Sequence, residues 1–530
     1  MKSVLKVSLL KTSMVVFLFL LSAKALNFFK KILIGNLFGV SWVADAFFAA
    51  SYLPYYLAIF FEGILFLGFL PLFSQVVTEK GKEEAHQFVS EVLLLILVLT
   101  GALVGLAWWG APWIVRELVP GFNATEQALT QSLFQILSLV VVLMSLTSLF
   151  KALNSYFEDY ALAASSGLMD TAVTVGLMLV ACPFWGIHGA AWASLAGAVT
   201  ALTFQAFFLF RKHLVFSARL AVRSVWLKKL FYFLLPMGLI WGFQQIPIVI
   251  LNRFGSGMWE GTISALSISH TLTTVPMGLV SHTVLFAIFP SLAKQANGNG
   301  EVHAQATFFQ TLRGGFLILV PVGFLLSGFA RPLAALFFDG GGVAAEGTRR
   351  IANSLVCFGW ATFALYADLF MTQSLIAVRR PAPAILLCAS RAFLTYSIGY
   401  VLSYYWDYQG LALSFSLALA ANFFLCFPVF FQMSPFRRGW KALFGYTSKL
   451  VLASTTILVL GWLIHQWSTT QWSALPDGIL VLVLGFGSLA GIGLYLGILS
   501  WLRVEEIRSV WQGLKQVGVE RRWWLADPNE

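Results

Sequence analysis

Residues 91–110 read EVLLLILVLTGALVGLAWWG, with one carboxylate at the first position and no charge after it. An α-helix needs about 20 mostly apolar residues to cross the hydrocarbon core of a bilayer, and this stretch supplies them. It belongs to a longer apolar run at 89–115, and the chain repeats the pattern on both sides. Similar runs lie near 13–36, 43–75, 128–155, 160–185 and 187–210. A second group lies near 226–251, 262–292, 312–338, 350–376, 381–405, 409–432, 444–466 and 477–502. The reading is an all-α polytopic membrane protein with about fourteen transmembrane helices. The runs are too long, and lack the alternation, for the strands of an outer-membrane barrel.

Composition leads to the same place. Of 530 residues, 59% are hydrophobic and 11% charged, whereas a soluble domain carries about 45–50% apolar and about 25% charged residues. So little charge cannot cover a soluble globule, which excludes soluble enzymes and nucleic-acid binders. The net charge of +11 is then topological, because basic residues collect in cytoplasmic loops. One set of loops holds Lys80 and Lys82, the stretch from Arg211 to Lys229, Lys294, Arg379 and Arg380, and Arg437, Arg438 and Lys441. The tail adds Arg503, Arg508, Lys515, Arg521 and Arg522, while loops such as Trp185-Gly186-Ile187 and Asp407–Gln409 hold no cation. Lys30, Lys31, Arg116, Arg253, Arg349 and Arg350 run against the pattern. Both termini are therefore expected in the cytoplasm, as an even span count requires. Lys2, Lys6 and Lys11 before Met14–Leu21, with Ala23-Lys24-Ala25 after it, outline a signal peptide. The apolar stretch resumes at once, so a retained first helix is the better reading.

Cys182, Cys357, Cys388 and Cys426 are scattered in apolar surroundings with no metal-ligand spacing, so neither disulfides nor a metal site is expected. No Walker A, GxSxG or HExxH pattern occurs, and the expected activity is transport without a cofactor.

The basic stretch Arg211–Lys229 is the best boundary, and a weak repeat flanks it. Leu67-Gly68-Phe69-Leu70-Pro71 and Phe286-Ala287-Ile288-Phe289-Pro290 each close an apolar span on a proline before a polar loop. The expected organisation is two pseudo-symmetric six-helix lobes, 1–220 and 221–435. An accessory pair of spans with a preceding amphipathic segment follows at 436–503, then a cytoplasmic tail at 504–530. Repeats of this kind place a transport site near the midplane, between lobes that rock.

Ionisable residues inside apolar spans are the candidate site, since each costs at least about 2.5 kcal/mol there and so marks a cavity or pathway. Lys24 and Lys31 are two helical turns apart on the first span and share a face. With Lys30 they read as a cationic patch for an anionic head group, or as side chains snorkelling to the interface. Asp45 and Glu62 on the second span have no basic neighbour one turn away, so any partner comes from another helix, Lys24 or Lys30 among them. Lys151, near the end of its span, reads as snorkelling, and Asp170 is a further candidate. Asp368 and Arg391, on neighbouring helices, read as a structural ion pair. His270 and His282 flank Pro276, and either could switch charge in a cavity.

Several motifs then carry a resemblance. Leu37-Phe38-Gly39, Ala44-Asp45-Ala46-Phe47-Phe48, Leu53-Pro54 and Glu62-Gly63 come first. Ala111-Pro112-Trp113, Pro120-Gly121-Phe122, Ala152-Leu153-Asn154 and Phe289-Pro290-Ser291-Leu292 follow in order. The whole resembles the MurJ/MviN lipid II flippases of the multidrug/oligosaccharidyl-lipid/polysaccharide exporter superfamily. The resemblance implies two lobes around a cationic cavity and a last helix pair that cradles a lipid tail. It implies that two first-helix arginines of the family fall on Lys24 and Lys30, and its aspartate on Asp45. The second-helix arginine falls near Ala58 or Ile59 and is lost, and the eighth-helix arginine falls on His270 or Thr271. Lysine keeps the charge but not the planar two-pronged grip of arginine on a diphosphate.

The expected function is outward flipping of lipid II, a polyprenyl-diphosphate-linked peptidoglycan precursor, by alternating access. Lys24, Lys30 and His270 would attract the diphosphate, while Asp45 and Glu62 would organise the cations or reset the cavity. The expected setting is the bacterial inner membrane, as a monomer among membrane lipids with no nucleic-acid partner. Membrane potential or a monovalent cation would drive the cycle. Three alternatives stand beside this one. A flippase for another polyprenyl-linked oligosaccharide would share the cavity, and an ion-coupled drug exporter would favour an acidic, aromatic one. In a membrane scaffold the intramembrane charges would be dispensable.

Overall fold

The computed structural model describes residues 2–212, 225–296, 301–339, 343–378, 380–432, 439–467 and 477–504. No strand occurs among them. The helices are α1 (Lys2–Phe38), α2 (Trp42–Ile64), α3 (Leu70–Lys80), α4 (Lys82–Leu118), α5 (Ala124–Tyr156), α6 (Tyr160–Phe210), α7 (Val225–Gly255) and α8 (Thr262–Ala296). There follow α9 (Glu301–Gly328), α10 (Ala330–Phe338), α11 (Ala345–Gly359), α12 (Ala361–Ala377), α13 (Pro381–Phe431), α14 (Trp440–Trp467) and α15 (Asp477–Trp501). Among the described residues nine helices are long and apolar enough to cross a membrane, or ten if α11 and α12, bent by 48°, form one span. The chain is a multi-pass membrane protein.

Two of those helices, α6 and α13, are interrupted where the cation-free loops were expected. Gly186 (φ 55°, ψ −140°) divides α6, and Asp407 (φ 50°, ψ −136°) divides α13 in the same backbone conformation. Each is thus a hairpin of two helices with almost no loop. The likeness extends three residues further. A Cβ at Gly189 would strike the backbone of Ala181, and one at Gly410 the backbone of Leu402, eight residues back in both cases. Matching hairpins in the two halves agree with the weak repeat in the sequence.

Other spans depart from their expected limits at proline and glycine. The run at 43–75 is α2, a π-helical turn at Leu65–Phe69, and α3. Pro71 has no N–H for the carbonyl four residues before it, so the hydrogen-bond ladder changes register upstream, at a turn holding Gly68. The run at 312–338 breaks at Phe329, between α9 and α10, three residues before Pro332.

The chain forms two compact units. The first comprises Met1–Val275, Phe338–Ser354 and Pro381–Ala418, and the second Pro276–Phe337, Leu355–Arg380 and Leu419–Glu530. In the first unit α2 packs on α5, and α5 on α4 and α6, while α1 lies along α6. Polar caps set the entries. The Ser41 Oγ accepts from the Ala44 N–H (3.4 Å) at the start of α2. At α5, Asn123 and Glu126 exchange side-chain-to-backbone hydrogen bonds of 3.0 and 2.9 Å. A buried cluster of Phe69, Phe73, Phe88, Leu149 and Leu153 holds the end of α5 against the π-helical turn. In the second unit, α9 packs against α12 and α14. The Tyr495 hydroxyl on α15 donates to the Leu317 carbonyl of α9 (2.9 Å), so the accessory pair is packed into this unit.

Candidate functional site

Five ionisable side chains gather on four packed helices of the first unit. Lys24 and Lys30 come from α1, Glu62 from the last turn of α2, Lys151 from α5 and Asp170 from α6. Glu62 and Lys151 form an ion pair. That corrects the snorkelling reading of Lys151. A partner of Glu62 does come from another helix, α5. Leu149, Phe150, Ala152 and Leu153 are buried around Lys151, so its backbone is fixed and its side chain directed. Lys24 is exposed and lies within Coulombic reach of Glu62. Asp170 lies within reach of Lys30, Glu62 and Lys151. The Lys30 ammonium also sits over the Tyr55 ring, 5.0 Å from its centroid. Three cations face two carboxylates, so the group carries one positive charge in excess.

Lys31 goes elsewhere. Its Nζ donates to the Thr271 hydroxyl (2.5 Å) and the Ser267 hydroxyl (3.2 Å), tying α1 to α8. This linking role was not legible beforehand, because hydroxyls in an apolar helix carry no charge to pair with. His270, on the same helix, stands edge-on to Phe415 at 5.3 Å and within Coulombic reach of Lys31. The His282 side chain, and Arg437 and Arg438, lie outside the described residues.

Asp45 meets neither Lys24 nor Lys30 among its recorded partners. It is 3% exposed, and its two carboxylate oxygens accept from the backbone N–H groups of Ser264 (2.6 Å) and Gly261 (2.8 Å). These are free donors at the start of α8, so Asp45 caps that helix from α2 and places negative charge at its positive end. The cap belongs to a wider set of ties at the same end. The Trp42 N–H donates to the Glu260 carboxylate (3.1 Å), and the Arg350 guanidinium to the Glu260 carbonyl (2.6 Å). Arg253 pairs with Glu117 (3.0 Å), and the Gly121 N–H donates to the Ser256 hydroxyl (3.2 Å). A Cβ at Gly121 would overlap the backbone of Gly257, so only glycine lets these two turns meet.

Asp368 and Arg391 are both buried, at 3% and 4% exposure, in the second and first unit respectively. Asp368 accepts from the Asn422 amide (2.7 Å), and Arg391 donates to the Gln244 carbonyl (2.6 Å). Each therefore ties two helices within its own unit. We propose that both support folding more than transport. Asp368→Ala and Arg391→Ala should each lower the folded yield, because each strands buried polar partners at about 1–3 kcal/mol per group. Normal accumulation of both variants with loss of transport would overturn that assignment. Among the described residues no group of three or more metal-ligating side chains occurs.

Comparison with known proteins gives a consistent picture. The family model described as lipid II flippase MurJ matches residues 34–477. A probable lipid II flippase MurJ of Buchnera aphidicola subsp. Schizaphis graminum is 24% identical over 432 residues, covering 80% of this chain and 84% of the relative. The lipid II flippase MurJ of Burkholderia cenocepacia is 24% identical over 465 residues, covering 84% of this chain and 88% of the relative. A solved lipid II flippase MurJ in an inward closed conformation superposes with a TM-score of 0.75 at 19% identity, over 93% of this chain and 98% of the other. An inward-facing multidrug resistance MATE transporter superposes less well, at 0.65 and 14% identity, over 80% of this chain and 96% of the other.

Proposed function

Because the chain belongs to the lipid II flippase MurJ family, we propose that it carries lipid II from the inner to the outer leaflet of a bacterial cytoplasmic membrane, making and breaking no bond. The observation that carries this reading is the charged group on α1, α2, α5 and α6, with its cationic excess inside membrane-spanning helices. Such charges are retained in a bilayer where an anion or water meets them. Lys24 and Lys30 attract the diphosphate, and Lys24, the more exposed, meets it first. The polyprenyl tail stays in the bilayer, so only the head group needs a polar route. The ties around Asp45, Glu117 and Gly121 close one end while the other loads, which is what alternating access requires. We place both termini in the cytoplasm and that closed end on the outer side. Two lobes at 1–220 and 221–435 rock about the site, a division favoured by the matching hairpins. A drug exporter of the same superfamily is disfavoured, because a net cationic group suits an anionic cargo.

Complementation of a lipid II flippase-depleted bacterium tests the cargo directly. Lys24→Ala should reduce lipid II exposure on the outer leaflet, per folded molecule, by about tenfold or more. A charge-assisted hydrogen bond is worth about 1.5–3 kcal/mol, and each 1.4 kcal/mol is about tenfold. Lys24→Arg should retain or improve exposure, since guanidinium grips a diphosphate through two parallel donors. Wild-type exposure from Lys24→Ala would remove Lys24 from the site.

A further inference from the structure

We infer that Lys151 is a further diphosphate-binding residue, held by Glu62 in the unloaded protein and handed to the anion on loading. The inference rests on the lipid II reading above and names a residue beyond those on α1. Its first support is the openness of the pair. The Lys151 and Glu62 side chains are 22% and 39% exposed, so both are reachable by a ligand from within the charged group. An ion pair this accessible contributes little to stability, because water screens it and two long side chains are immobilised to form it. A diphosphate offers the same ammonium more charge and several acceptor oxygens, so the exchange runs towards the anion.

The second support is mechanical. Lys151 stands on a helix packed on three sides, with buried neighbours on both sides in sequence. Glu62 stands where α2 is about to lose its α-helical ladder, three residues before the π-helical turn begins. Such turns mark places where a helix yields locally. The cation is thus the fixed member of the pair, and the carboxylate stands where its own helix changes register. The third support is the charge count. With Glu62 drawn aside, Lys24, Lys30 and Lys151 remain in the charged group, with Asp170, which lies within reach of Lys30 and Lys151, as its other carboxylate. That arrangement is left two charges positive and matches a dianionic group.

The test is binding of lipid II to the full chain in lipid nanodiscs, read as affinity per folded molecule, with melting temperature measured on the same samples. Lys151→Gln should weaken binding roughly tenfold, as expected for one lost charge-assisted contact, and Lys151→Arg should restore it. Glu62→Gln should bind about threefold more tightly, because the competitor is removed. Two outcomes overturn the inference: unchanged affinity in Lys151→Gln with a lowered melting temperature, or unchanged or weakened affinity in Glu62→Gln. The second remains decisive if Lys151→Gln does not fold. A wild-type protein that binds no lipid II in this assay removes the underlying functional reading as well, and so is distinguishable from either.

Discussion

Asp45→Ala is expected to deplete the folded protein more severely than any neutralisation on α1. Two buried backbone N–H groups at the start of α8 lose a charged acceptor together. At about 1.5–3 kcal/mol for each such hydrogen bond, the loss is about 3–6 kcal/mol. That is a large part of the roughly 5–15 kcal/mol that holds a typical domain folded. Asp45→Asn should fall between wild type and alanine, since its amide oxygen can serve one of the two donors but brings no charge to the helix terminus. Melting followed by size-exclusion chromatography, together with folded yield, measures the order. An Asp45→Ala protein that melts and accumulates like wild type yet no longer flips lipid II would return Asp45 to the cargo pathway.

Gly121→Ala should have the second large effect, on access. The added methyl group would overlap the backbone of Gly257 and the Ser256 carbonyl, and backbone cannot rotate away as a side chain can. The turn between α4 and α5 must therefore separate from the turn between α7 and α8. Separation lengthens the hydrogen bond from the Gly121 N–H and strains the Arg253–Glu117 pair beside it. Overpacking of this kind costs about 1–3 kcal/mol, enough to move an equilibrium between closed and open ends by roughly tenfold. A cysteine introduced at the buried Ser256 reports the change. Its labelling by a membrane-impermeant thiol reagent should rise about tenfold in the Gly121→Ala background, against the native cysteines alone as control. An unchanged labelling rate would show that the two turns do not govern entry.

The spans were legible because twenty apolar residues have one economical fate, and even the interruptions at Gly186 and Asp407 fell where cation-free loops were expected. The π-helical turn after Ile64 was not anticipated, although Pro71 and Gly68 both weaken the ladder there. For the charged residues, identity was legible and partnership was not. Glu62 signals a need for a partner, but that partner is Lys151, 89 residues on. Asp45 was harder still, because it accepts from backbone amides, which leave no mark in the sequence. Lys31 looked like a surface anchor for the same reason, its partners being hydroxyls of an otherwise apolar helix.

The near-absence of a loop in the α6 and α13 hairpins has a consequence for how the protein is made. Gly186 alone joins the α6 pair and Trp406 with Asp407 joins the α13 pair, and in each the glycine three residues after the positive-φ position lies against the backbone of the first helix. No slack remains for one helix to wait in the bilayer while its neighbour crosses. Each pair must leave the insertion machinery as a closed hairpin, with nascent chain on one side of the membrane only. The tip holds no basic residue to be retained, so the direction of entry is decided at the open ends of each pair. Deleting either helix of a pair would therefore orphan the other at the moment of synthesis, before any contact of the finished fold could rescue it.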